Sequence, residues 1–132
     1  MSEVSKRTVK KFFKLLFSGK LSEAERTLQR IKKRYKLGDD DGYYMALYGI
    51  YYTYINDDRD SYIFKLWERF LNNEGKRSLS KSFRELLKTM YQPPEKFLKA
   101  WLDLIGFIDE LPVPHKIKKE MEAKQRAVAQ AS

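Results

Sequence analysis

The sequence predicts an all-α, single-domain bundle of about six to seven antiparallel helices. Three observations predict it. Apolar residues recur at helical spacing in segment after segment, short runs rich in Gly, Asp, Asn and Pro separate those segments, and 132 residues with 42% hydrophobic content suffice for one packed core but not two.

In the first segment, residues 5 to about 18, Val9, Phe12, Phe13 and Leu16 fall at i, i+3, i+4, i+7 on one face. Lys6, Lys10 and Lys14 lie opposite, with Arg7 and Lys11 beside them. Gly19 stands where a glycine ends a helix in the left-handed conformation. Ser22-Glu23-Ala24-Glu25 then reads as a capping box, with Ser22 as N-cap of a second helix. That helix buries Ala24, Leu28, Ile31 and Tyr35 and carries Arg26, Arg30 and Lys33 on another face.

Residues 37–42 form a turn by composition. Residues 43 to about 55 are apolar or aromatic on every side, which predicts a helix enclosed by other helices. Tyrosine and isoleucine also favour strands, but the neighbouring segments are helical and no partner strand is visible. After an acidic turn at 56–60, a fourth helix presents Ile63, Phe64, Trp67, Phe70 and Leu71. A fifth runs near 79–91 with Leu79, Phe83, Leu86, Leu87 and Met90. Pro93-Pro94 breaks it and opens a sixth, lined by Phe97, Trp101, Leu104, Ile105 and Ile108. The expected division is a helical domain over 1–110, a proline-containing linker at 111–115, and a basic, loosely docked C-terminal helix or tail over 116–132, whose sizeable apolar residues are only Ile117, Met121 and Val128.

Charge is unevenly placed along the chain. The net charge is +9, and residues 1–37 hold 12 Lys/Arg against 3 acids, so the first quarter accounts for the entire excess. A merely lysine-rich composition would spread along the sequence. Eighteen lysines and no cysteine resemble a thermophile's usage, and the absence of cysteine excludes disulfides and thiolate metal sites. No stretch of 18 apolar residues predicts a membrane span, and residues 1–7 open no apolar leader, so a cytoplasmic protein is expected.

Gly19-Lys20-Leu21-Ser22-Glu23-Ala24 resembles the inter-helix turn of tetratricopeptide-type helical hairpins, where a small residue lets two helices approach and an alanine packs between them. Residues 42–73 are similar in length and also turn on an acidic run, but lack the alanine and the closing proline. The resemblance covers about 70 residues, 5–73. It implies stacked antiparallel α-hairpins and a module that binds an acidic or hydrophobic peptide.

Two readings of the basic face stand side by side. One is a solvated, lysine-rich surface; the other is an anion site for phosphate backbones or an acidic protein, formed by Lys6, Arg7, Lys10, Lys11, Lys14, Arg26, Arg30, Lys33 and Arg34. Localisation of the charge favours the second. Tyr44, Tyr48, Tyr51 and Tyr52 share one side of the third helix and are the candidates for base stacking, against the commoner role of core or rim tyrosine. No zinc-finger spacing or RNA-recognition signature is present. The carboxylate runs at 39–41 and 57–60 lie about 20 Å apart along the intervening helix, too far to share an ion, and turn and N-cap chemistry explains them. His115 is the only histidine, and the sequence identifies no partner for it. No catalytic residue, metal site or cofactor is therefore expected. The function expected is a non-catalytic accessory or adaptor protein that binds nucleic acid or a nucleoprotein complex, with a peptide-binding tetratricopeptide-like module as the alternative.

Overall fold

A computed structural model describes residues 4–89 and 95–131. The described chain is an all-α bundle: α1 (Lys6–Phe17), α2 (Leu21–Arg34), α3 (Gly42–Ile55), α4 (Tyr62–Leu71), α5 (Lys76–Lys88), α6 (Glu95–Phe107), a 3-10 turn (Ile108–Glu110) and α7 (His115–Ala131). Residues 43–55 are helical, as the periodicity of their surroundings predicts, and no strand occurs among the described residues. Pro93-Pro94, with Met90 and Tyr91 at the end of the fifth expected helix, lies outside the described residues. Helix α5 begins three residues before the predicted Leu79, taking Gly75 as its N-cap.

α1 and α2 form an antiparallel hairpin. At its turn Gly19 adopts φ +85, its N–H donates to the Leu16 carbonyl (3.2 Å), and the Lys20 N–H reaches back to Leu15 (3.0 Å), the paired bonds of a Schellman motif. The motif runs straight into α2, so Lys20 occupies the N-cap. Ser22 therefore lies inside the first turn and makes no capping bond, contrary to the capping-box reading. Asp41 does cap: its carboxylate accepts from the Tyr44 N–H at 3.0 Å, the role expected of the acidic turn.

The centre of the bundle is aromatic. Phe17 meets Tyr54 and Trp67 edge-on, each at 5.3 Å, and Trp67 is almost wholly buried. A second cluster joins Tyr62 of α4, Phe83 of α5 and Trp101 of α6. α6 packs against α1, α3 and α5, so the sixth helix closes the bundle over the first. This closure sets the chain apart from an open repeat array, where each hairpin touches only its neighbours.

α3 is not enclosed on every side. Tyr43, Leu47, Ile50 and Tyr54 are buried, whereas Met45, Tyr48 and Tyr52 form an exposed strip. Among the described residues no helix covers that strip, and the all-apolar composition conceals the gap. At the C-terminus Leu111 and Pro114 are buried and His115 begins α7, but every residue from 118 to 130 is exposed. No described helix is long and apolar enough to cross a membrane.

Candidate functional site

The α1–α2 hairpin creates a groove of about 610 Å³ along its outer face, lined by Arg7, Thr8, Lys10, Lys11 and Lys14 from α1, by Thr27, Arg30, Ile31 and Arg34 from α2, and by Tyr35 just after it. The helical register explains the lining. On α1 the cations stand at 7, 10, 11 and 14, and on α2 the lining stands at 27, 30, 31 and 34, the same i, i+3, i+4, i+7 stripe on both helices. Val9, Phe12, Phe13 and Leu16 anchor α1 from behind, and Ala24, Leu28 and Ile31 anchor α2. Ile31 and Thr27 form the buried floor, and Thr27 donates its hydroxyl to the Glu23 carbonyl at 2.9 Å. Charged side chains form the rim.

Six of the nine cations named from the sequence meet in this groove. Lys6, Arg26 and Lys33 are exposed or half-exposed but do not line it. Lys10 is half-buried and held at 2.6 Å by Glu110 from the 3-10 turn. Among the described residues, no carboxylate lines the groove, and none forms an ion pair with Arg7, Lys11, Lys14, Arg30 or Arg34. The like-charged i, i+4 pairs Arg7/Lys11, Lys10/Lys14 and Arg30/Arg34 each cost about 0.2–0.5 kcal/mol at low salt, so the fold carries roughly 1 kcal/mol of repulsion that a polyanion would relieve. Arg7 to Lys14 covers about 10 Å at 1.5 Å per residue, the axial length of about three phosphates of one duplex strand.

Thr8, Thr27, Ile31 and Tyr35 are lining residues that the charge-based reading omits. The stripe 27, 30, 31, 34 was the available signal. Tyr35 accepts a hydrogen bond from the Ser5 N–H at 3.2 Å and lies under the Arg34 guanidinium at 5.7 Å.

The tyrosines named for stacking are divided. Tyr44 and Tyr51 are buried, while Tyr48 (45% exposed) and Tyr52 (53%) present their rings to solvent and stack on one another at 6.0 Å. Tyr48 also rests on Tyr44 and Tyr51, which sit against the other flank of α2. Lys32, which pairs with Asp39, lies over the Tyr44 ring at 5.0 Å, and its ammonium is held charged above its ordinary range chiefly by Asp39. The Tyr51 hydroxyl faces Glu25, and its pKa rises through burial first and then through that carboxylate. Cationic groove and exposed tyrosines thus lie on opposite sides of α2.

His115 has a partner that sequence could not reveal. Its Nδ1 lies 2.8 Å from the Tyr54 hydroxyl, which itself accepts from the Lys116 N–H, so the hydroxyl proton is free to point at Nδ1. Burial, followed by the Lys116 and Lys119 charges, lowers the His115 pKa, and burial raises Tyr54 to about 12. Both shifts favour the neutral forms. The Lys116 ammonium also caps α3 by donating to the Tyr54 and Ile55 carbonyls at 2.6 and 3.1 Å. This cluster docks α7 against the core.

Comparison with protein-family models, curated proteins and solved structures finds no match.

Proposed function

We propose that the protein is a non-catalytic nucleic-acid-binding accessory protein that grips phosphate backbones with the α1–α2 groove. One observation carries the reading: six cations from two helices border a single concave surface that no carboxylate among the described residues lines. Such a surface binds a polyanion through counterion release, with strong salt dependence and little sequence preference. The peptide-binding alternative implied by the tetratricopeptide resemblance has less support, because α6 closes the bundle and the groove rim is charged rather than apolar.

Anisotropy titrations of a labelled nucleic acid over about 50–200 mM salt test it. Lys11→Glu, Lys14→Glu and Arg30→Glu together should weaken binding at least about tenfold and flatten the log–log salt slope by roughly 0.9 for each phosphate that the variant no longer neutralises. Lys33→Glu, Lys65→Glu and Lys118→Glu change the net charge equally from positions outside the groove. Equal losses of affinity from both sets would reduce the effect to net charge and defeat the proposal.

A further inference from the structure

Over residues 38–132 basic and acidic residues balance in number, yet space separates what sequence averages. The outer face of α5 carries Lys76, Arg77, Lys81, Arg84 and Lys88 around a single acid, Glu85. Arg77, Lys81, Arg84 and Lys88 follow one another at i, i+4, i+7, i+11, on a different face from the buried Leu79, Phe83 and Leu87. This row extends about 16 Å along the helix. Its like-charged neighbours, Arg77/Lys81 and Arg84/Lys88, oppose helix stability with no ion pair among the described residues to offset them.

The α5 row begins beside the α1–α2 groove. Lys76 at the start of α5 pairs with Asp109 at 2.6 Å and donates to the Gly106 carbonyl at 2.8 Å. Lys10, on the groove rim, pairs with Glu110 at 2.6 Å. Adjacent residues of one 3-10 turn therefore hold the edges of the two cationic surfaces together. The Asp109 carboxyl is kept below its ordinary range by Lys76 first and feels Lys10 as well, consistent with that proximity.

We infer that the α5 row is a second backbone-contacting surface, continuous with the α1–α2 groove across the 3-10 turn, and that the two together hold a double-stranded nucleic acid. This rests on the function proposed above. Duplex is favoured over single strand because single-strand grooves supply aromatic platforms for the bases. Across both surfaces the lining holds one aromatic, Tyr35, already engaged by Ser5 and Arg34, while the exposed Tyr48 and Tyr52 stand on the far flank of α2. Cations with the Thr8 and Ser80 hydroxyls are the chemistry of backbone contact.

The test uses the full chain, a labelled duplex of about 20 bp and a single strand of equal length, with three charge-matched variant sets. Arg77→Gln, Lys81→Gln and Arg84→Gln form the α5 set; Lys11→Gln, Lys14→Gln and Arg30→Gln the groove set; Lys33→Gln, Lys65→Gln and Lys118→Gln the control. All nine side chains are exposed, and circular dichroism verifies that each variant folds. The α5 set should weaken duplex binding about tenfold or more and flatten the salt slope by about 2–3, with the control set changing affinity by no more than about twofold. The length of duplex occluded per bound chain, read from stoichiometric titration of longer duplexes, should then shrink in the α5 set and in the groove set alike.

An α5 set that behaves like the control while the groove set still weakens binding overturns this inference and leaves the proposed function standing. A groove set that behaves like the control overturns the proposed function itself. An occluded length that neither set shortens overturns continuity. Single strand bound more tightly than duplex, or displacement of duplex by polyglutamate at equal charge, overturns the assigned occupant.

Discussion

Replacing Gly19 and Gly49 each by alanine should move stability in opposite directions. At Gly19 the backbone has φ +85, a conformation that costs an L side chain about 1–2 kcal/mol. A Cβ there would also meet the His115 ring at 3.0 Å (Cδ2 and Cγ), closer than ordinary contact. The ring cannot yield freely, because its Nδ1 is bound to the Tyr54 hydroxyl at 2.8 Å, and disturbing that bond costs a further 0.5–1.5 kcal/mol or so. Gly19→Ala should therefore destabilise by about 2–3 kcal/mol, a fall in Tm of roughly 10 °C for a domain of this size. Gly49 lies inside α3 with nothing within 4 Å of an added Cβ. Gly49→Ala should stabilise by about 0.5–1 kcal/mol, since it removes backbone freedom from the unfolded chain. Melting followed by helical circular dichroism measures both. A Gly19→Ala protein that melts with the parent would refute the account of the hairpin turn and of the His115 contact together.

The His115 environment sets a pH dependence. The pKa is lowered in the folded state, so between that value and about 6.5 the unfolded chain binds a proton that the folded chain refuses. Stability is then fully present above about pH 6.5 and falls as the pH drops through the folded value, and urea midpoints should show this acid-side loss shrinking in His115→Gln. Trp67→Ala, at the contact with Phe17, should cost about 3–5 kcal/mol and lower Tm by 10 °C or more. A loss under about 1 kcal/mol would contradict its place in the core. Ending the chain after Glu120 removes, among the described side chains, only exposed ones and keeps the Arg59–Glu120 pair, so Tm should stay within a few degrees. Collapse of the melt would mean that α7 is part of the core.

Helices were legible wherever one face alternates with solvent: the α1 stripe is buried whole, and Ala24, Leu28 and Ile31 of α2 and Ile63, Phe64 and Trp67 of α4 are buried, whereas Tyr35, Phe70 and Leu71 are only half-buried and Leu66, outside the expected face, is buried. Turns were legible where glycine marks them, as at Gly19. The same Schellman bonds also close α2, α3 and α4, with Lys36, Asp57 and Asn73 at positive φ. Those residues announce the conformation weakly, so composition points to Gly38 rather than Lys36 as the turn after α2. The exposed strip of α3 was hidden because tyrosine and methionine serve core and surface alike. Proximity of His115 to Tyr54 spans 61 residues and leaves no local pattern. The α5 row was visible as i, i+4, i+7, i+11 spacing but disappears in a net-charge count, since the acids that balance it stand in turns and on other helices.

The placement of those acids is itself informative. Away from the two cationic surfaces, carboxylates are deployed as partners: Asp57 and Glu120 on Arg59, Glu74 on Arg69, Asp103 on Lys99, Asp41 on Lys96. Within the two surfaces, Lys10 and Lys76 are the cations so held, and both sit at the junction, where the pairing joins the two edges. Among the described residues this leaves Arg7, Lys11, Lys14, Arg30 and Arg34 in the groove and Arg77, Lys81, Arg84 and Lys88 on α5 without an ion pair. At about 0.9 counterions released per phosphate, this set bounds the magnitude of the log–log salt slope at roughly 8. A groove acting alone would reach only about half of that. The salt slope of the unmodified protein therefore already separates a single gripping groove from a track that continues along α5.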